Sequence, residues 1–234
     1  MSRPSMPKAS NTSSSTPTVR VVNLSARETI GTIYPHATWR LLVDGARDGA
    51  TNMAKDEANL TAVVEGASPP TLRFYGWAPP CLSLGRSQPR ANVDLDACRS
   101  GGVDVVRRPT GGRAILHTDE ITYSVALLQE DPRAKGDIVD SYRRLSEGLV
   151  AGLDSLDAGA MQASRQSQPV DGHSPVCFET PSAYEIVVSG KKLVGSAQWR
   201  SKGGVLQHGS LPLTGDLTRI VSVLDLTGQD AERH

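Results

Sequence analysis

The chain has 234 residues, which suits one large α/β domain and leaves little room for a second. Hydrophobic residues make up 38% of it, and no apolar run approaches the roughly 20 residues that a membrane-spanning helix needs. Basic and acidic residues both number 25, so the zero net charge gives no reason to expect nucleic acid or an anionic membrane as a partner.

The first part of the chain has a different composition from the rest. Residues 1–18 are rich in Ser, Thr and Pro and contain almost no apolar side chains. Such a segment cannot bury enough apolar surface to offset the entropy of ordering, which predicts a disordered tail. We expect a single folded domain over residues 36–234.

The folded part opens with a predicted helix and a series of short strands. Residues 51–66 predict the helix, because Thr51 or Asn52 can cap its start and Gly66 can end it. The following segments are rich in β-branched and aromatic residues between Gly- and Pro-containing turns, which is typical of strands. These predicted strands are 71–77, 81–85, 103–108, 115–117 and 121–128, with turns at 78–80 and 109–113.

Residues 137–153 give the clearest helical pattern. Asp137 is the predicted N-cap, and apolar residues recur at helical spacing on one face. Residues 154–176 show no apolar period and predict a polar connector. The predicted face contains Ile138, Tyr142, Leu145, Leu149 and Leu153.

The last third of the chain predicts a three-stranded antiparallel meander over residues 183–213, with turns at 189–190 and 201–204. A short helix is expected within 214–234. Strands joined by hairpins rather than by strict βαβ alternation indicate an α+β fold with helices packed on a mixed sheet.

One candidate site is the turn between two predicted strands at RRPTGGRAILH (107–117). Adjacent glycines let backbone N–H groups approach a ligand closely, and Arg107, Arg108 and Arg113 surround the turn with positive charge. The turn suits a phosphate, a carboxylate or a polarised carbonyl. An ordinary hairpin turn with solvated arginines explains the same pattern equally well.

A second candidate lies at GKKLVGSAQ (190–198). Lys191 and Lys192 are adjacent on a predicted strand, so one side chain should be solvated while the other faces inward. An inward lysine near the small residues of Gly195–Ala197 can hold a carbonyl oxygen. The alternative is that Lys192 extends from a sheet edge to solvent.

Three cysteines, Cys81, Cys98 and Cys177, are widely spaced and form no CxxC pair. They indicate neither a disulfide framework nor a zinc site, and they favour a reducing compartment. Cys177 stands where the polar connector meets a strand, and such a junction can place a side chain at the mouth of a pocket. A buried, inert thiol is the alternative for each cysteine, and a packed imidazole is the alternative for His208.

Three ordered motifs, RRPTGGRAILH, GKKLVGSAQ and LQHGS, resemble the catalytic domain family of the biotin and lipoate protein ligases. TNMAKDEA, LRFYGWAPPCLSLGRSQ and CFETPSAYE extend this likeness from about residue 39 to residue 213. The resemblance implies an α+β domain with mixed, mostly antiparallel sheets and packed helices.

Two departures separate the chain from the ATP-dependent lipoate ligases of that family. Arg113 stands where those ligases usually carry a third glycine, and Thr118 rather than an aspartate follows His117. The segment that begins at Cys177 and continues with Pro-Ser and Tyr-Glu instead resembles the octanoyltransferase branch. That resemblance implies that Cys177 is the nucleophile and Lys192 the second catalytic residue.

The resemblance also implies a reaction and its partners. An octanoyl group would pass from acyl carrier protein, through a thioester on Cys177, to a lysine of a lipoyl-domain protein such as the H protein or a 2-oxoacid dehydrogenase E2. Neither ATP nor a metal would be required, and we expect a cytoplasmic enzyme. The substrate-binding residues implied by the resemblance are Tyr75, Arg107, Gly111, Gly112, Arg113, His117, Gly195, Ser196, Ala197 and His208.

Two alternatives remain open from the sequence. One is an ATP-dependent ligase that makes an acyl-adenylate, with Cys177 as a bystander. The other is a catalytically degenerate module that only binds lipoyl domains or acyl carrier protein. The sequence also leaves open whether His117 and His208 transfer protons or only pack. Because the chain stops soon after the last motif, we expect the C-terminal part of the domain to be shortened.

Overall fold

The computed structural model describes residues 18–22, 34–162 and 185–225. Its helices are α1 (Gly49–Val64), α2 (Leu95–Ser100) and α3 (Ile138–Asp154), with 3-10 turns at Arg90–Asn92 and Leu217–Val223. Its strands are β1 (Thr18–Val22), β2 (Trp39–Val43), β3 (Thr71–Tyr75), β4 (Cys81–Leu84), β5 (Asp104–Arg107), β6 (Ile115–His117), β7 (Glu120–Leu128), β8 (Met161–Gln162), β9 (Ile186–Val188), β10 (Lys191–Ser201) and β11 (Gly204–Pro212).

The strands form two sheets. The larger has eight strands in the order β1-β2-β3-β7-β11-β10-β9-β8, and the smaller has three in the order β5-β4-β6. Among these pairs, β2 with β3 and β4 with β5 are parallel, and the others are antiparallel. The expected α+β class with mostly antiparallel sheets is confirmed, as is the meander of β9, β10 and β11.

Each face of the eight-stranded sheet packs against a different helix, because alternate side chains of a strand point to opposite faces. On the face that we call the α1 face, Leu60 and Val63 of α1 contact Ala126 and Leu206. On the opposite face, the α3 face, leucines of α3 join an apolar cluster from the strands. That cluster includes Leu145, Leu149, Val125, Leu127 and Val205.

The helix boundaries show where sequence patterns are imprecise. Helix α1 begins at Gly49 rather than near Thr51, because Asp48 is the N-cap and its Oδ1 accepts from the Thr51 N–H at 2.9 Å. The predicted cap Asp137 of α3 is confirmed. Ile138, at the start of the predicted apolar face, is nevertheless 55% exposed. The apolar period identifies a face of a helix but not the turn at which that face meets the sheet.

Five elements lie outside the sequence predictions, and two of them are strand β2 and the 3-10 turn at Arg90–Asn92. Strand β1 begins at Thr18 and pairs with β2, upstream of the boundary expected at residue 36. Helix α2 and the short strand β8 were not predicted either. The 3-10 turn at Leu217–Val223 matches the short helix expected near the C-terminus. No helix in the described ranges has the length and apolar character needed to cross a membrane.

Candidate functional site

An open pocket with about 440 Å³ of empty volume lies on the α1 face of the large sheet, next to the smaller sheet. Trp77 follows β3 after Gly76, and its ring stacks on the His117 imidazole with 4.1 Å between centroids and 12° between planes. Met53 of α1 and Ile115 of β6 add apolar surface. The lining residues are Met53, Tyr75, Trp77, Ser83, Arg108, Gly112, Ile115, His117, Thr122, Gly195, Ser196, Ala197, His208, Gly209 and Ser210.

The Gly-Gly turn is held from inside by Arg108, which is 4% exposed. Its Nη2 donates to the carbonyl oxygens of Gly111 at 2.9 Å and Arg113 at 2.6 Å, and its Nη1 donates to Ser83. Gly112 has a φ of +93°, a conformation that glycine adopts without strain. Gly85 packs against the turn so closely that a Cβ there would come within 1.8 Å of the Gly112 oxygen. The turn is therefore a fixed wall of the pocket.

Three of the predicted binding residues do not line the pocket. Arg107 is exposed, and its Nη1 donates to the carbonyl oxygens of Gly85 at 2.7 Å and Gln88 at 2.8 Å. Gly111 and Arg113 lie on the turn but outside the lining. Arg107 thus joins the loop after β4 to β5. The structure brings together the other predicted binding residues, which are Tyr75, Gly112, His117, Gly195, Ser196, Ala197 and His208.

Asp56 of α1 is the centre of a buried hydrogen-bond cluster and is fully buried. Its Oδ1 accepts from Arg73 Nη1 at 2.8 Å and from Ser124 Oγ at 2.7 Å. Its Oδ2 accepts from Tyr75 OH at 2.9 Å and lies 3.3 Å from His208 Nδ1. Burial is the largest influence and alone would raise the pKa of Asp56, but the hydrogen bond with His208 and the charge of Arg73 outweigh it and lower that pKa.

Glu120 of β7 is the centre of a second cluster. Its Oε1 lies 2.7 Å from His117 Nδ1 and accepts from the hydroxyls of Thr122 and, at 2.8 Å, of Ser210. The Thr122 hydroxyl accepts in turn from Trp77 Nε1 at 2.7 Å. Burial again opposes ionisation of Glu120, but the charge and hydrogen bond of His117 lower its pKa overall. Both carboxylates are therefore ionised acceptors at neutral pH.

Both histidines have each ring nitrogen engaged by the protein. His117 Nδ1 faces Glu120, and its Nε2 lies 2.7 Å from Ser83 Oγ. His208 Nδ1 faces Asp56, and its Nε2 lies 2.7 Å from Thr110 Oγ1 on the Gly-Gly turn. Burial, the largest influence, lowers the pKa of His208 and favours the neutral ring. This geometry favours a role in orienting the pocket wall over proton transfer to a ligand.

The two lysines of β10 differ in exposure, because adjacent residues of a strand point to opposite faces. Lys191 is exposed, whereas the Lys192 side chain is only 3% exposed and its Nζ lies 2.7 Å from Glu185 Oε1. Lys192 lies on the same strand as Gly195, Ser196 and Ala197, which line the pocket. The prediction that one lysine faces inward is confirmed.

The cysteines divide into two groups. Cys81 and Cys98 are buried and carry free thiols, and burial raises the pKa of both. A buried thiol with a raised pKa is a poor nucleophile. Cys177 lies outside the described residues, so its predicted nucleophilic role stays a prediction.

A model of the lipoyl protein ligase A/B catalytic domain matches residues 48–234 of the chain. The match covers the pocket, the Gly-Gly turn and β10. The chain belongs to this family.

Relatives within the lipoyl protein ligase A/B family support the assignment. Octanoyltransferase LipM of Moorella thermoacetica is 48% identical over 197 residues, which cover 83% of this chain and 72% of the relative. Octanoyltransferase LipM of Kyrpidia tusciae is 49% identical over 193 residues, which cover 80% of this chain and 70% of the relative.

Solved structures of lipoate ligases share the fold. Lipoate-protein ligase A bound with ATP is 27% identical with a TM-score of 0.61, over 80% of this chain and 71% of that chain. Ta0514 of T. acidophilum, solved with bound lipoic acid, is 28% identical with a TM-score of 0.63, over 79% of this chain and 72% of that chain.

Sequence reasoning missed the two carboxylates that organise this family member's pocket. Asp56 occupies the buried stripe of α1 together with Asn52, Leu60 and Val63. A charged residue on the apolar face of a predicted helix could have indicated a buried polar cluster, because a buried charge needs partners. Glu120 had no such signal, because its partners come from β6, β7 and β11.

Proposed function

We propose that the protein is an octanoyltransferase of lipoate biosynthesis. It transfers an octanoyl group from acyl carrier protein to a lysine of a lipoyl-domain protein. The observation that carries this proposal is the 48% identity, over 83% of the chain, to an octanoyltransferase LipM. The pocket supports it, because Met53, Trp77 and Ile115 give the wall apolar surface that suits an acyl chain.

In the proposed reaction, the Cys177 thiolate attacks the thioester carbonyl of octanoyl-acyl carrier protein. The carrier leaves as a thiolate, which takes up the proton that the Cys177 thiol released, and an acyl-thioester forms on Cys177. The lysine amine of the acceptor then attacks that thioester, forms an amide and releases the cysteine thiol. Because one thioester replaces another, the first step is nearly isoenergetic and needs neither ATP nor a metal.

Lys192 is proposed to stabilise the oxyanion that develops on the carbonyl oxygen. The inward position of its side chain and its ion pair with Glu185 at 2.7 Å support this role. The reaction also needs a reduced thiol at Cys177, which is consistent with a cytoplasmic location.

An ATP-dependent ligase is the second candidate. The observation that favours it is the shared fold, at 27% identity, with a lipoate-protein ligase A that binds ATP. In that case the Gly-Gly turn would contact a phosphate, and Cys177 would take no part in the chemistry.

The deciding experiment mixes the protein, octanoyl-acyl carrier protein and an apo lipoyl-domain protein without nucleotide. We expect mass spectrometry to show one octanoyl group on the acceptor. An acyl adduct should also form on the wild-type protein and be absent from Cys177→Ala.

A parallel reaction supplies octanoic acid with ATP in place of octanoyl-acyl carrier protein. Acceptor labelling that requires ATP and survives Cys177→Ala would overturn the transferase and establish the ligase. Binding of either partner without any labelling would instead indicate a non-catalytic module.

A further inference from the structure

The surface beside the pocket concentrates positive charge. The loop after β4 (85–92) and the segment around the Gly-Gly turn (107–113) together contain five arginines and no acidic residue, in a chain of zero net charge. The two segments lie against each other, because the Arg86 N–H donates to the Thr110 carbonyl oxygen at 2.8 Å. Gly112 is exposed and also lines the pocket, so this charged surface continues into the pocket wall.

Three of these arginines, which we call the arginine rim, are exposed to solvent. They are Arg86, Arg90 and Arg107. No ion pair within the described ranges involves any of them. Elsewhere on the surface, Arg99 and Arg219 each pair with an aspartate of this chain. The charge of the rim is therefore not balanced by the protein's own carboxylates and attracts an anionic partner.

Arg107 holds one edge of its guanidinium in a fixed position. Its Nη1 donates to the carbonyl oxygens of Gly85 at 2.7 Å, Arg86 at 3.2 Å and Gln88 at 2.8 Å. In the part of the chain that the structure describes, no acceptor contacts its Nε or Nη2, which form the other edge of the planar group. That edge fits the two oxygens of a carboxylate. Because Nη1 already orders the side chain, less entropy is lost when an anion binds.

We propose that the arginine rim is the docking surface for an acidic face of the acyl carrier protein. Arg107 binds one carboxylate of the carrier through two N–H groups, while Arg86 and Arg90 add attraction between opposite charges. The rim lies beside the pocket, so it contacts the body of the carrier while the acyl arm enters the pocket. This inference deepens the function proposed above and rests on it.

The donor fits the rim better than the acceptor does. Its arm is joined to the carrier through a phosphodiester, which brings a further negative charge to the pocket side of the rim. A docking surface of unpaired arginines acts mainly on the rate of association and on its dependence on salt. The proposal therefore predicts effects on the KM of one substrate, and these effects can be separated from the chemical step.

The kinetic test compares octanoyl-acyl carrier protein with octanoyl-pantetheine, which keeps the thioester but lacks the protein and the phosphate. Arg86→Gln/Arg90→Gln should raise the KM for the carrier about tenfold and leave kcat within about twofold. The kcat/KM for octanoyl-pantetheine and the KM for the acceptor should stay within about twofold, since neither uses the rim. Added salt should lower kcat/KM for the carrier more steeply in the wild type than in this variant.

Lysine substitutions separate charge from geometry. Arg107→Lys keeps the charge but loses the paired N–H groups, so the KM for the carrier should rise about tenfold. Arg86→Lys/Arg90→Lys keeps both charges and should leave that KM within about twofold. Lys202→Gln removes an exposed charge from the turn between β10 and β11 and is the matched control, with no expected change for either donor.

A binding measurement distinguishes failure of this inference from failure of the proposed function. Calorimetry with Cys177→Ala gives the Kd for octanoyl-acyl carrier protein without turnover, and adding Arg86→Gln/Arg90→Gln should weaken binding about tenfold. That loss supports the docking surface even if the wild type transfers no acyl group. Three results would overturn the docking surface while leaving acyl transfer intact. They are an unchanged Kd, an equal effect on octanoyl-pantetheine, and a rise in the KM for the acceptor instead of the donor.

Discussion

The two faces of the eight-stranded sheet bury opposite kinds of side chain. The α1 face contains Asp56, Arg73 and His208, all with less than a tenth of their surface exposed. The α3 face is filled mainly by aliphatic residues such as Leu127 and Val205. Hydrogen bonds and ion pairs have directional requirements that aliphatic contacts lack, so the polar face can give the pocket a defined arrangement of donors and acceptors.

The α3 face also contains a row of hydrogen-bonded polar side chains that extends to the pocket. Arg200 Nε donates to Gln198 Oε1 at 3.2 Å, and Gln198 Nε2 donates to Gln207 Oε1 at 3.1 Å. Gln207 Nε2 donates to Tyr123 OH at 3.1 Å, and Tyr123 lies 2.7 Å from Ser196 Oγ. This row ends on the part of β10 that lines the pocket. We therefore expect substitutions of buried polar residues on the α1 face to lower both stability and activity. Substitutions of aliphatic residues on the α3 face should lower stability alone.

The largest effect is expected from Arg73→Met on the α1 face. Arg73 is fully buried and pairs with Asp56 and Asp44, each at 2.8 Å. Removing the cation leaves two carboxylates without their charge partner, which costs about 3–5 kcal/mol of unfolding free energy. Urea denaturation measures this loss, and acyl transfer per folded molecule should also fall. Arg99→Met, which breaks the exposed pair with Asp96, is the control and should leave the urea midpoint unchanged.

Leu127→Ala tests the α3 face. Leu127 is fully buried, and its truncation should lower the unfolding free energy by about 3 kcal/mol. Acyl transfer per folded molecule should stay within about twofold of the wild type. The neighbouring Leu128 is 43% exposed, so Leu128→Ala should have a much smaller effect on stability. A large loss of activity in folded Leu127→Ala would show that aliphatic packing on the α3 face also controls the pocket.

Acidification should weaken the α1 face selectively. The pKa of His208 lies below its ordinary value, so the folded state starts to lose stability as the pH falls below about 6.5. The pKa values of Asp56 and Glu120 are also lowered, so their contribution is present above about 4 and is lost as the pH falls through their folded-state values. Urea midpoints should decrease from pH 7 to pH 3. A midpoint that rises over this interval would contradict the assignment, and Asp56→Asn should flatten the acidic part of the curve.

The smallest effect on stability is expected from the residue that caps the start of α3. The Asp137 carboxylate accepts from the Asp140 N–H at 2.8 Å, so Asp137→Ala should cost about 1 kcal/mol of unfolding free energy without changing activity. Asp154→Ala makes the same change at the C-terminal end of the helix. There an acidic side chain opposes the helix dipole, so stability should stay constant or rise slightly. Equal losses in the two variants would argue against the capping role of Asp137.

Local patterns predicted much of this fold because they depend on neighbours along the chain. The meander of β9, β10 and β11 followed from turns between β-branched segments, and α3 followed from its cap and apolar period. Strand β1 and helix α2 were missed. The first has five residues next to a polar segment and the second has six, so neither is long enough to give a clear period.

Residue patterns were enough to predict the family, the Gly-Gly turn, the inward lysine of β10 and the candidate nucleophile Cys177. The sequence could not show that Arg108 supports the turn while Arg107 lies outside the pocket, and the folded chain does. The folded chain also shows that Asp56 and Glu120 accept hydrogen bonds from side chains that line the pocket. The reason is physical: a hydrogen bond depends on the position and direction of both partners, and partners such as Asp56 and His208 are 152 residues apart in the chain.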